Sequence, residues 1–147
     1  MQLSNNFYLS EFLRSQTATR KEIDMTPSIA VIDSLTELCI NILQPLRDRV
    51  GRIDISSGFR PHELNKEIGG SSGSFHVTGD AADIVSDTLS AAELFEVIKQ
   101  LDLPKLDKAI LEFDSWVHIQ HVKPGKYARR EFLLAEIENG RTVYSFG

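Results

Sequence analysis

The chain has 147 residues, a formal net charge of −5, 41% hydrophobic and 25% charged residues, which suits one globular domain able to bury a core without covalent staples. The acidic balance argues against a protein built chiefly to bind nucleic acid or an anionic membrane, and the absence of a long uninterrupted apolar run argues against a membrane span. The single cysteine, Cys39, excludes an internal disulfide and fits a reducing compartment; on its apolar helical stripe it reads as a small buried hydrophobe rather than a thiol nucleophile.

Met1 to Asn6 lacks the basic and apolar regions of a signal peptide, so synthesis in the cytoplasm is expected, with export by some other route. Leu9-Ser10-Glu11-Phe12-Leu13 reads as a short helix capped by Ser10, and Thr17 to Glu22 as another helical turn. Thr26-Pro27 is a helix start signal, after which Val31, Leu35, Leu38, Cys39, Ile42, Leu43 and Leu46 recur at helical spacing. Pro45 is expected to kink or stop this main core helix. Ile53 to Ser56 alternates as a half-buried strand, Ser57 to Pro61 turns, and Pro61 to Ile68 is a short helix closed by Gly69-Gly70. Ser71 to Ser74 forms a loop leading to His76. Ala82 to Val85 is a second strand. Ser90 with Glu93 makes a capping box for a helix with Leu94, Phe95, Val97, Ile98 and Leu101 on its apolar face. Ala109 to Phe113 and Trp116 to Gln120 are strands around Asp114-Ser115. Phe132 to Ile137 and Thr142 to Phe146 form a hairpin across Asn139-Gly140. The tally is α+β, helices first and then an antiparallel sheet with one inserted helix.

The chemistry concentrates between His76 and Asp83, an imidazole and a carboxylate seven residues apart with a glycine and two alanines among the residues between them. His118, in the strand-like Trp116-Val117-His118-Ile119-Gln120, supplies a distant third donor. Each alone has an ordinary reading: a loop histidine, a strand-end carboxylate, a strand-face histidine. Together they are the donor types zinc prefers, and three protein ligands leave a position open, as catalytic zinc sites do.

Ser74, His76, Gly79, Ala81 and Asp83 match the Ser-x-His-x-x-Gly-x-Ala-x-Asp motif of the zinc D-Ala-D-Ala carboxypeptidases and L-alanyl-D-glutamate endopeptidases, whose fold is shared with the Hedgehog N-terminal domain. Ser57-Gly58-Phe59-Arg60-Pro61, Leu64-Asn65 and Gly69-Gly70-Ser71 resemble the segment preceding that motif in compact phage and prophage members, and Trp116-Val117-His118 resembles their second metal motif. The resemblance covers nearly the whole chain. It implies a Hedgehog/DD-peptidase-like fold and a zinc peptidase acting on peptidoglycan stem peptides. His76, Asp83 and His118 would bind one Zn2+, Arg60 would bind or polarise substrate, and an acid near His118 would be the general base. The chain departs from the pattern at Phe75, where many members carry glutamine, and at Ser115, where some carry an acid.

The base must therefore lie elsewhere, at Glu112 or Asp114. An odd loop, Phe113-Asp114-Ser115, puts Glu112, Trp116 and His118 on one face, because strand side chains alternate; an Asp114-Ser115 loop turns Glu112 away. We take Glu112 as the base, with Asp114 as an exposed turn former unless that loop is short. Ser74 is expected to support a ligand or touch substrate, and Trp116 to line the cleft or pack beneath the site. His121, three beyond His118, falls on the opposite face. Arg129-Arg130 reads as a solvated charged turn. The expectation is a monomeric enzyme at the bacterial cell wall, in a phage or prophage lysis or virion role. Its rival is a non-catalytic zinc-containing binding module of the same fold.

Overall fold

The computed structural model describes all 147 residues. A small hairpin, β1 (Gln2–Ser4) and β2 (Phe7–Tyr8), precedes α1 (Leu9–Phe12); Asn5-Asn6 between the strands is a turn former that accounts for it. Ser10 is not the cap of α1. The helix starts after Tyr8, whose backbone N–H donates to the Glu11 carboxylate at 2.7 Å. In α2 (Gln16–Arg20) the cap is Ser15, whose hydroxyl accepts from the Ala18 N–H.

The main helix begins two residues later than Thr26-Pro27 suggests. Thr26 bonds the Asp24 carboxylate, and Ser28 accepts from the Val31 N–H to open α3 (Ile29–Leu38). Pro45 neither stops nor sharply ends it. Cys39–Leu43 forms a π-helical turn, in which the Gln44 N–H reaches back to the Cys39 carbonyl, and α4 (Gln44–Val50) continues the axis. Proline lacks the N–H for the carbonyl four back and its ring crowds that carbonyl. A widened turn just upstream absorbs both problems. The resulting 22-residue helix, Ile29–Val50, is long and apolar enough by length and composition to cross a membrane, contrary to the expectation that no such segment exists. Leu35, Leu38, Cys39, Ile42, Leu43 and Leu46 of that helix are fully buried in the protein's main core.

The remaining elements are β3 (Ile53–Ser57), α5 (His62–Glu67), a 3-10 turn at Phe75–Thr78, β4 (Ala81–Ser86), α6 (Ala91–Gln100), β5 (Leu106–Glu112), β6 (Trp116–His121), β7 (Glu131–Glu138) and β8 (Arg141–Phe146). The expected capping box opens α6, with Ser90 and Glu93 each accepting from the other's backbone N–H. The six-stranded sheet runs β3-β4-β6-β5-β7-β8. Its ladders are antiparallel as expected, except that β7 joins β5 in parallel after the connection over residues 122–130. Asn139 and Gly140, both at positive φ, make the two-residue turn of the final hairpin. One sheet face, with Ala82, Ile84, Ala109, Val117 and Ile119, packs in the core with the long helix and Leu94, Phe95 and Ile98 of α6. The α+β class follows. The other face carries the polar residues.

Gly58 ties α1 to that polar face. A Cβ at Gly58 would lie 2.6 Å from Phe12 Cα, and the neighbouring Phe59 N–H donates to the Phe12 carbonyl at 2.8 Å. Gly58→Ala therefore forces two backbones apart. We expect a loss of about 1–3 kcal/mol, the usual cost of overpacking a tight contact, seen as a lower midpoint in denaturant melts.

Candidate metal centre

Strand pairing assembles the site. Asp83 on β4 sits directly opposite His118 on β6 and, across a bulge, opposite Ser57 on β3. His76 arrives from the 3-10 turn, whose start is held by the Ser74 hydroxyl accepting from the His76 N–H at 3.2 Å. Gly79, at φ 80°, ends that turn in the left-handed region, where Val31 of α3 packs too close for a side chain. His76 Nε2 lies 3.2 Å and His118 Nδ1 3.1 Å from the same oxygen, Asp83 Oδ1. The three donor atoms all fall within 4.8 Å of one another, and all three residues are buried.

The outer partners decide what faces inward. The Gly58 carbonyl, 2.8 Å from His76 Nδ1, can only accept, so that nitrogen carries the proton. The Gln120 amide donates its Nε2 to the Asp107 carboxylate at 2.9 Å, so its Oε1 faces His118 Nε2 at 3.0 Å and accepts from it. In the neutral rings, His76 Nε2 and His118 Nδ1 are then bare lone pairs converging on a carboxylate oxygen. Three acceptors cannot share that point without a cation or added protons between them. This donor set fits a zinc ion.

The electrostatics agree. Burial would raise Asp83, but its bonds to His118 and His76 outweigh it and hold the carboxyl well below the usual range. Burial pushes the His76 imidazole down despite Asp83. It pushes His118 down too, but the Asp83 bond, Gln120 and Glu112 more than compensate, and His118 ends raised.

Arg60 Nη2 donates to Asp83 Oδ2 at 3.1 Å and Nε to Ser57 Oγ at 3.0 Å, with the guanidinium mostly buried. The β5–β6 loop is the three-residue one: Glu112 pairs with Trp116 across Phe113-Asp114-Ser115, with Phe113 and Asp114 both at φ 54°. Glu112 therefore faces the cluster, Oε1 lying 3.8 Å from His118 Nδ1. Burial raises its carboxyl, and the Asp83 charge raises it further. Asp114 is exposed at the turn and is not among the residues that line the cleft, so Glu112 is the carboxylate of this loop that faces the cluster. Trp116 is half-buried against the Phe113 ring, centroids 5.6 Å apart, and its indole N–H is buried without a hydrogen-bond partner. His121 turns to the other face, donating from Nδ1 to the Val122 carbonyl and accepting from Asn41.

Two residues here were not foreseen from the sequence. Gln120 shares a face with His118 by strand alternation, a signal present in His118-Ile119-Gln120. Asp107 is buried and receives three hydrogen bonds from Arg129, from its backbone N–H, Nε and Nη2 at 3.0, 3.1 and 2.8 Å. Arg129 is thus not simply a solvated turn residue. Burial would raise the Asp107 carboxyl, but Arg129 and Gln120 outweigh it and hold it at about 2. A folded value below the unfolded one means that the contribution is complete above pH ~4 and is lost as pH falls towards 2. It is on the order of 2 kcal/mol at neutral pH, from 1.36 kcal/mol per unit. Asp107→Asn should therefore flatten the acid limb of a stability-against-pH curve.

The cluster lies in a cleft of about 900 Å3 that runs from Arg60 past Glu112 and Trp116 to Leu133, Thr142 and Tyr144 of the final hairpin. Fold and site together define an α+β protein with a buried two-histidine, one-carboxylate cluster at the floor of a cleft. A family model described as peptidase M15 matches residues 5–120, and the chain belongs to the peptidase M15 family. That family is one of zinc-dependent metallopeptidases. No curated protein matches the chain.

Proposed function

We propose that the protein hydrolyses an amide bond in bacterial peptidoglycan stem peptides, with zinc held by His76, Asp83 and His118. The observation that carries this reading is the convergence of two bare imidazole nitrogens on one carboxylate oxygen, beside Glu112 and inside a cleft large enough for a peptide. Zinc in such a site supplies Lewis acidity and makes water nucleophilic near neutral pH. Glu112 takes a proton from the attacking water and delivers it to the departing amine nitrogen. Arg60, already held by Asp83 and Ser57, turns its remaining N–H donors to the carbonyl oxygen as negative charge develops there.

A second cleft, of about 1040 Å3 and lined by Arg14 and Arg20, abuts the first at Arg60 and Ile68. Cleft space that continues past Arg60 favours an internal bond over removal of a terminal residue. The protein acts at the cell wall, in a phage or prophage lysis or virion role.

Purified peptidoglycan tests the reading. We expect new amine termini to appear, release to stop with chelator and return with zinc. Release that ignores chelator would sink the zinc mechanism. Absence of release from a zinc-loaded protein would favour a binding module.

A further inference from the structure

We propose that Asp107, held in place by Arg129 from outside the matched segment, is a positioning residue for the metal centre, acting through Gln120 to set which nitrogen of His118 faces Asp83. The inference rests on His118 being a metal ligand, as proposed above. Arg129 spends three donors on Asp107, which is only 4% exposed. A carboxylate only accepts, so Gln120 must present its NH2 to Asp107 and its oxygen to His118. An oxygen at 3.0 Å from Nε2 demands a proton there, and Nδ1 is left bare 3.1 Å from Asp83 Oδ1. Donation converges on Asp107 from both sides: Arg129 donates from the surface, and His118 donates to Gln120, which donates to Asp107.

Gln120 and His118 are themselves buried, so water does not readily replace a missing link. Glu131 restrains the far end, its carboxylate 3.5 Å from Arg129 Nη1 and 3.7 Å from Lys108 Nζ. Outer partners of this kind fix ring orientation and ligand basicity at metal sites. The motif residues match the family, but this relay draws its cation from the connection between β6 and β7.

The test uses the full chain and three variants. In Asp107→Asn, an amide can offer NH2 towards Gln120, letting that side chain turn over and present its own NH2 to His118. The proton then moves to Nδ1, the nitrogen meant for the metal. Arg129→Met removes the guanidinium but leaves an acceptor-only carboxylate at Asp107, so it is the control in which the Gln120 direction is kept. Gln120→Leu takes away the oxygen that faces His118 Nε2. Long-range 1H–15N NMR of the metal-free proteins in alkaline buffer, where the ring is neutral, reads the His118 tautomer. Chelator competition reads zinc affinity. We expect the Nε2–H form in the parent protein and in Arg129→Met, and a gain of the Nδ1–H form in Asp107→Asn and Gln120→Leu. Zinc binding should weaken in the last two by about 10–100-fold. A folded Asp107→Asn that keeps the parent tautomer, or that shifts it and binds zinc as tightly as the parent, would overturn the proposal. If Asp107→Asn fails to fold, Gln120→Leu carries the test by the same two criteria. A parent protein that binds no zinc would refute the proposed function, and with it the metal-positioning role, whatever the tautomer measurement shows.

Discussion

Glu112→Gln should lower kcat on peptidoglycan by about 10²–10⁴-fold while zinc stays bound, the range over which a positioned proton-transfer group acts. The substitution keeps shape and removes only the basic oxygen. Glu112 is well placed to move that proton, since its carboxylate is 3.8 Å from His118 Nδ1, faces the cleft, and is raised by burial and by Asp83. Asp114→Asn is the matched control. That carboxylate is exposed at the turn and outside the cleft lining, and its loss should leave kcat unchanged. Zinc content measured beside the rates separates a lost base from a lost metal. Equal activity of Glu112→Gln and the parent would remove Glu112 from the chemistry.

Zinc at about a thousand times its dissociation constant should stabilise the parent by ~4 kcal/mol, because it binds the folded chain and not the unfolded one. For a chain of this size that raises Tm by on the order of 10 °C. Asp83→Asn should abolish most of the shift. Asp83 Oδ1 is the atom on which both imidazoles converge, and Oδ2 receives Arg60. The amide leaves that guanidinium without a counter-charge in a mostly buried position, and removing one partner of a buried pair costs about 3–5 kcal/mol. The variant is therefore expected to melt earlier even without metal. A scanning melt of both proteins with and without zinc measures the two effects together. A parent melt that does not move with zinc would contradict a resident metal at these three side chains.

The sequence displayed the parts of the fold that follow from local rules. Ser90 with Glu93, the Asn139-Gly140 turn and the apolar stripe from Val31 to Leu46 appear in the structure much as the residues suggest. What it concealed depended on competition between rules. Pro45 argued for a break, yet a wider turn at Cys39–Leu43 kept the helix whole, because burial of six apolar side chains favours continuing it. Thr26-Pro27 looked like a cap, but Asp24 claimed the Thr26 hydroxyl and Ser28 took the role. At the site, the spacing from His76 to Asp83 and the strand around His118 were visible, and the structure brings all three together. Which face Glu112 would take was undetermined until the loop length was known. Asp107 and Arg129 were invisible as a pair. Their meeting depends on the path of residues 122–130, which no local periodicity encodes.

The parallel ladder between β5 and β7 has a practical consequence for anyone moving this domain into a fusion. The family likeness ends at residue 120, but the folded unit does not. Cutting there would strip β5 of a whole neighbour, leaving its amides and carbonyls open to strands from other molecules. The same cut would strand a buried acid without its guanidinium. A transplantable cassette must therefore extend at least through Phe146, the last residue of the closing hairpin.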